Sequence, residues 1–200
     1  MKMAKRILSM VMVLAMIACL SVTAFADTPA TPYIQVTVKN SRSGATGSWT
    51  VSATTGSSIK SALDQDTAHA IEWNEEVQDY YDPSKLHAAL VSYNGLGSTG
   101  FNKNVAADVA QLIAAGYDQE TINEIEWCSG TYQGYGLVDK DEAAGTYTYI
   151  YAGYDWTYSS NKSAEIWDYM CCYNVQADEI VYLNYGFTVT DEWTQNYRIS

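Results

Sequence analysis

Basic residues are scarce in this 200-residue chain, which has 11 Lys and Arg against 23 Asp and Glu. Three of the basic residues, Lys2, Lys5 and Arg6, stand at the start, where there is no acid. From residue 27 onward, 8 basic and 23 acidic residues leave a formal net charge of −15. Such an acidic surface repels nucleic acid and anionic lipid, so we expect neither as a partner.

Long hydrophobic runs are also rare, and the chain has one, from Ile7 to Leu20, directly behind the basic start. It is shorter than the ~20 residues that span a bilayer, and Ala24-Phe25-Ala26 follows it. This pattern predicts a signal peptide over residues 1–26, cleaved after Ala26, and a secreted or cell-surface protein with no membrane partner after cleavage. The alternative is a lipoprotein, since Met16-Ile17-Ala18 precedes Cys19.

Cysteine is infrequent, and three of the four cysteines remain after cleavage: Cys128, Cys171 and Cys172. With an odd number, at least one thiol cannot form a disulfide within the chain. If the neighbouring pair lies on a strand, its side chains point to opposite faces, so a disulfide would join Cys128 to Cys171 or Cys172. The alternative is three buried free thiols. No metal site is predicted, because there is no CxxC motif and His69 and His87 are not spaced as ligands from one element.

Catalytic motifs are missing as well. There is no GxSxG, no HExxH and no evident Cys/His nucleophile pair. Gly95–Gly100 matches GxGxxG, but no strand with a terminal acid follows it, so a glycine turn is the better interpretation. Asp139–Glu142 opens like a calcium loop that lacks the required Gly and final Glu. We therefore predict a protein that is not an enzyme and has no cofactor.

The first part of the chain from residue 34 has clear secondary-structure patterns. Ile34, Val36 and Val38 alternate with polar residues, and "SWTVSATT" alternates again after a turn cluster, which predicts a β-hairpin. Ser58 caps a predicted helix with an apolar stripe. The acidic, aromatic segment 72–83 is predicted to be a loop, and "KLHAALVSYNG" a strand ending in a turn.

The second part begins with a helical pair. One helix is predicted from Asn104 to a stop at Gly116, and Asp118 caps the next. From Gly145 the chain is strand-like again, and it closes with the apolar run "EIVYLNYGFTV", which is typical of a strand buried on both sides. The predicted order is therefore a hairpin, a helix, strands with a helical insertion, and closing strands.

Four stretches resemble the DUF4430 domains, which are similar to the C-terminal domain of transcobalamin and intrinsic factor. They are "IQVTVKN…SWTVSATTGSSIKSAL", "LVSYNGLG", "GYDWTYSSN" and "YNVQADEIVYLNYG". The turn at Ala177-Asp178-Glu179-Ile180 has Ala where the family usually has Gly. The resemblance implies an α+β fold: a β-grasp-like mixed sheet with a crossing helix. It also implies a planar ligand such as a corrinoid. The residues themselves predict a linker over 27–33, where prolines stand, and one domain over 34–200 with a helical insertion at about 101–130.

Aromatic residues are abundant, and twelve of the seventeen tyrosines follow residue 130. Tyrosine gives a binding surface a large contact area with few torsions, although it is also a common strand residue. The predicted ligand-binding residues are Tyr147, Tyr149, Tyr151, Tyr154 and Trp156. Within this set Trp156 is expected to be buried, Tyr154 more exposed, and the first three an exposed ladder. The partner is then a small molecule, a glycan or a protein, and the alternative to corrinoid binding is a cell-surface protein or glycan interaction module.

Overall fold

The computed structural model describes residues 31–79, 81–164, 166 and 168–199. The predicted signal peptide and most of the predicted linker lie outside these residues. The described chain is mixed α/β, with mostly strands, few helices and a curled mixed sheet. The elements are β1 (Tyr33–Asn40), β2 (Ala45–Ser52), α1 (Ile59–Leu63), β3 (Ile71–Gln78), β4 (Leu86–Tyr93), β5 (Leu96–Gly97), β6 (Thr99–Gly100), α2 (Ala106–Ala114), α3 (Gln119–Glu124), β7 (Glu126–Trp127), β8 (Tyr135–Asp141), β9 (Thr146–Ser160), β10 (Ile180–Val189) and β11 (Trp193–Gln195).

The chain folds into two compact units. Among the described residues, the first unit is residues 31–98 together with Tyr154–Gly186, and the second unit is Thr99–Gly153 together with residues 187–199. Strands β9 and β10 each contribute residues to both units.

The first unit is built on the predicted hairpin. Strands β1 and β2 pair antiparallel, with Val36 opposite Trp49, and β1 pairs on its other side in parallel with β10, where Val36 is opposite Leu183. The strand order in this unit is β2-β1-β10-β9, and β3, β4 and β5 form a separate antiparallel sheet. The alternation in β1 has the expected result, because Ile34, Val36 and Val38 are buried.

Helix α1 packs its apolar stripe into the same core. Ser58 caps it as predicted, accepting a hydrogen bond from the Ser61 amide at 3.1 Å. Ile59 and Leu63 are fully buried, together with strand residues of β1 and β10. Buried apolar area of this kind contributes about 25 cal/mol per Å², so this core is the main source of stability in the first unit.

The prediction of a loop over 72–83 is wrong for most of its length. Residues Ile71–Gln78 form β3, which pairs antiparallel with β4, although the register shifts twice. The shifts lie after Glu72 and after Asn74, where extra residues interrupt the ladder. Glu72, Glu75 and Glu76 are exposed, and these acids mask the alternation of apolar residues by which a strand is predicted.

The second unit contains the predicted helical pair. Gly116, with φ 104°, ends the segment after α2, and the Asp118 carboxylate caps α3 by accepting the Thr121 amide at 2.7 Å. The strand order is β9-β8-β7, with β11 and β6 also paired to β9. One cluster of its core is formed by Phe101, Leu112, Ile122 and Ala152.

The turn before β10 holds a buried acid. Asp178 takes a left-handed conformation with φ 57°, which turns the chain just before β10. The fully buried Glu179 accepts hydrogen bonds from Tyr173 Oη at 2.6 Å and from the Gln176 amide at 2.7 Å. Burial opposes ionisation, but the Gln176 amide and the other hydrogen bonds outweigh it, so the pKa of Glu179 lies below its ordinary value of 4.5.

Replacing this carboxylate with an amide should destabilise the protein. Glu179→Gln should lower the free energy of unfolding at neutral pH by about 1–3 kcal/mol, because charged acceptors make the stronger hydrogen bonds. A carboxyl whose pKa is lowered on folding stabilises above its unfolded pKa and loses that contribution as pH falls through the folded pKa. The difference between wild type and variant should therefore shrink below about pH 4. Urea unfolding at several pH values measures it.

The control is Glu76→Gln, which changes an exposed acid on β3. It should leave stability unchanged at every pH. Equal effects of the two substitutions would contradict the role assigned to Glu179.

Candidate functional site

The predicted tyrosine ladder on β9 is not exposed. Tyr149 is fully buried, and its Oη accepts a hydrogen bond from the Ile199 amide at 2.9 Å, while Tyr147 and Tyr151 are half-buried. The reason is β11, which returns to pair with β9 and places Trp193 opposite Tyr149. The prediction of an exposed Tyr147-Tyr149-Tyr151 surface is therefore wrong.

The predicted order of burial for Tyr154 and Trp156 is also reversed. Tyr154 is fully buried, and its Oη shares a 2.7 Å hydrogen bond with Ser41 Oγ. The Arg42 guanidinium lies over its ring, 5.3 Å from the centroid. Trp156 is only half-buried, and its Nε1 donates to the Leu96 carbonyl at 2.8 Å.

Trp156 lines a small cavity of the first unit, with a volume of about 180 Å³. The other lining residues come from β4, from the loop after β5, from β9 and from the segment before β10: Ala88, Ala89, Leu90, Ser98, Asp155, Tyr158, Tyr169 and Met170. Three of the lining side chains are aromatic rings. Ser98 Oγ donates a hydrogen bond to the Asp155 carboxylate, so the wall also carries a polar pair.

A cluster of two thiols and an imidazole lies in the same unit. His87 Nδ1 is 3.2 Å from Cys172 Sγ and 3.6 Å from Cys171 Sγ, and the two sulfurs are 3.6 Å apart. The cysteines lie in a turn after β9, not on a strand, so the prediction based on strand alternation is wrong. Cys171 is half-buried and Cys172 is exposed.

Backbone hydrogen bonds position this turn against the start of α1. The Lys60 amide donates to the Met170 carbonyl at 2.9 Å, and the Ile59 amide donates to the Tyr173 carbonyl at 3.2 Å. These bonds flank the two cysteines on both sides. They therefore hold the sulfurs to a fixed backbone frame.

His87 is held from both sides. Its Nε2 is 2.9 Å from Asp79 Oδ2, and the Tyr169 ring stacks on the imidazole with centroids 4.1 Å apart and planes 7° apart. Asp79 Oδ1 accepts the amides of Tyr81 at 2.8 Å and Asp82 at 2.7 Å, which fixes the carboxylate. The imidazole therefore presents Nδ1 to the sulfurs.

The two thiols differ in acidity. Burial raises the pKa of Cys171, but the Ala88 amide, donating to Sγ at 3.4 Å, and His87 outweigh it, so the net shift is downward. Burial and the neighbouring Cys171 raise the pKa of Cys172 to about 11. The hydrogen bond between His87 and Cys171 in turn raises the pKa of His87. The group therefore ionises first at Cys171.

Cys128, Cys171 and Cys172 are all free thiols, so the disulfide that the sequence allowed from Cys128 is not formed. Cys128 Sγ lies instead 3.8 Å from the Ile199 carbonyl. The Cys-Cys doublet was the only available sequence signal for the cluster. His87 is 84 residues from Cys171, so a search for ligand spacing within one element missed it.

Comparison with protein-family models, curated proteins and solved structures finds no match to this chain. Within the part of the chain that the structure describes, no helix is long and apolar enough to cross a membrane.

Burial of Tyr149 makes its substitution costly, contrary to what an exposed ladder would give. Tyr149→Ser should lower the free energy of unfolding by about 3–5 kcal/mol, as for other buried aromatic residues, because it leaves a cavity and an unpaired Ile199 amide. Urea unfolding measures the loss. Tyr132→Ser is the matched control, since Tyr132 is 45% exposed, and it should be nearly neutral. A Tyr149→Ser variant as stable as the control would show that this ring is not part of the core.

Proposed function

We propose that this chain is an exported, non-catalytic binding domain whose ligand is a sugar ring of a glycan, bound at the cavity of the first unit. The observation that carries the proposal is the lining of that cavity. Trp156, Tyr158 and Tyr169 border it together with the paired Ser98 and Asp155. The basic start and apolar run of the sequence support export.

Stacking and hydrogen bonding are the two interactions that such a lining offers. An aromatic face buries the apolar C–H side of a sugar ring, and a carboxylate accepts hydrogen bonds from the hydroxyls at its rim. Asp155 is half-buried, so its carboxylate remains accessible from the cavity. The proposed contact residues thus differ from the predicted set in all but Trp156.

The strand order supports a β-grasp arrangement for the first unit. A hairpin leads into α1, and β1 lies beside the parallel β10 in the order β2-β1-β10-β9. This is the arrangement implied by the resemblance to the DUF4430 domains. We therefore propose that the first unit is a β-grasp with additional elements.

Cavity size favours a glycan over a corrinoid. Sites for drug-sized ligands measure about 300–1,000 Å³, and a corrin macrocycle is larger than such ligands. The cavity of about 180 Å³ matches a single ring that stacks at its mouth. The charge of the chain argues against nucleic acid and anionic membrane surfaces as partners.

A titration followed by Trp fluorescence tests the proposal, because Trp156 lies in the cavity wall. A panel of cell-wall and host oligosaccharides is tested against the purified chain, with cobalamin tested separately. We expect a saturable response to at least one glycan. Asp155→Ala should weaken that binding about tenfold, which corresponds to ~1.4 kcal/mol and to the loss of one charged hydrogen bond.

The matched control is Asp139→Ala, which removes an exposed acid on β8. It should bind as the wild type does. A flat response to every glycan, or equal affinities of the two variants, would contradict the proposal. A saturable response to cobalamin alone would support the corrinoid alternative.

A further inference from the structure

We propose that His87, Cys171 and Cys172 form a metal site for one ion that prefers tetrahedral coordination, with Zn²⁺ as the expected occupant. His87 Nδ1 and the two Sγ atoms all lie within 4.8 Å of one another. The site goes beyond the proposed glycan binding and does not depend on it.

The spacing of the three donor atoms matches one face of a coordination tetrahedron. Zinc binds sulfur at ~2.3 Å and imidazole nitrogen at ~2.0–2.1 Å, so donor atoms in a tetrahedral site lie about 3.5–3.8 Å apart. The two sulfurs are 3.6 Å apart, and His87 Nδ1 lies 3.6 Å from Cys171 Sγ and 3.2 Å from Cys172 Sγ. To bind an ion between the three atoms, only the 3.2 Å distance from His87 Nδ1 to Cys172 Sγ must increase, by a few tenths of an ångström.

The surroundings of His87 are those of a metal ligand. Ligating histidines donate their second ring N–H to a carboxylate or carbonyl, which fixes the tautomer and makes the free nitrogen more basic. Asp79 supplies this carboxylate at 2.9 Å from Nε2 and is itself held by two backbone amides. The stacked Tyr169 ring sets the plane of the imidazole, so Nδ1 is aimed before any ion binds.

The ligand set determines which ions the site takes. Thiolates and imidazole favour Zn²⁺ and Cu(I) over Mg²⁺ and Ca²⁺, which prefer oxygen ligands. Each thiol releases a proton to solvent as its sulfur binds the ion, so affinity rises with pH until both are ionised. Three protein ligands leave the fourth position to water or a ligand, as in zinc sites that react or exchange ligands.

Two other uses of the cluster fit the geometry less well. A nucleophile and general base would use one sulfur beside the imidazole, and the second sulfur, which lies against the same nitrogen, would have no role. A disulfide between the neighbouring cysteines would be strained, because Cα atoms joined by a trans peptide are about 3.8 Å apart and disulfides usually need about 4.4–6.8 Å. Convergence of three donor atoms on one point is what a metal ion needs.

Cobalt(II) is the probe for the test, because it replaces zinc and its colour reports tetrahedral thiolate ligation. The purified chain, reduced and kept free of oxygen, is titrated with Co²⁺ and then with Zn²⁺. We expect tetrahedral Co²⁺ absorption with a thiolate charge-transfer band, saturation at one ion per chain, and displacement by Zn²⁺. Cys171→Ser, Cys172→Ser and His87→Ala should each abolish the charge-transfer band or weaken binding at least tenfold.

Matched variants separate ligation from folding. Cys128→Ser should leave the Co²⁺ spectrum unchanged, and so should His69→Ala, because His69 also pairs with an acid, Asp66, at 2.8 Å but is not part of the cluster. Asp79→Asn should weaken binding about 10–100-fold while retaining the spectrum, as expected for a residue that orients a ligand. Circular dichroism of each metal-free variant verifies that it is folded.

Three results of the titration would overturn the proposal: a Co²⁺ spectrum without thiolate bands, a spectrum that survives both cysteine substitutions, or binding lost equally in Cys128→Ser. A disulfide between Cys171 and Cys172 in the protein isolated from its native host, shown by peptide mass spectrometry, would also overturn it. Glycan binding is measured separately, so failure of the metal site leaves the proposed function standing.

Discussion

Parallel pairing of β1 with β10 is the interaction on which the first unit depends. It brings Ile34 opposite Val181 and Val36 opposite Leu183, across almost 150 residues of chain. All four side chains are fully buried, so the pairing is stabilised by the core on its inner face as well as by the ladder. Closing so long a loop has an entropic cost that contacts between neighbouring residues do not have. Burial of the apolar core offsets this cost.

The same pairing determines where the segment before β10 lies. Backbone hydrogen bonds join residues 170–175 to the start of α1 and the residues before it. The Gly56 amide donates to the Val175 carbonyl, and the Val175 amide donates to the Ser57 carbonyl. The Lys60 amide donates to the Met170 carbonyl. Glu179 then closes the turn by accepting the Gln176 amide. The sulfurs of Cys171 and Cys172 are thus placed by backbone geometry, and His87 approaches them from β4.

Tyr169 relates the two proposed sites. Its ring stacks on His87 and also lines the cavity bordered by Trp156. Ala88 also belongs to both sites, since its amide donates to Cys171 Sγ and the residue lines the cavity. An ion at the cluster and a ligand in the cavity would therefore have Tyr169 and Ala88 as common neighbours.

The sequence by itself determined the elements whose pattern is local. Alternation identified β1 and β2, Ser58 and Asp118 marked the helix starts, and Gly116 marked a helix end. These signals are reliable because backbone hydrogen bonding and side-chain period act within a few residues. Only the tertiary structure decided which aromatic side chains are buried, because the return of β11 covers Tyr149 and the Ser41 hydroxyl meets Tyr154. The thiol–imidazole cluster also depends on tertiary structure, since its members lie on different elements and meet only when β10 joins β1 and the preceding turn packs against α1.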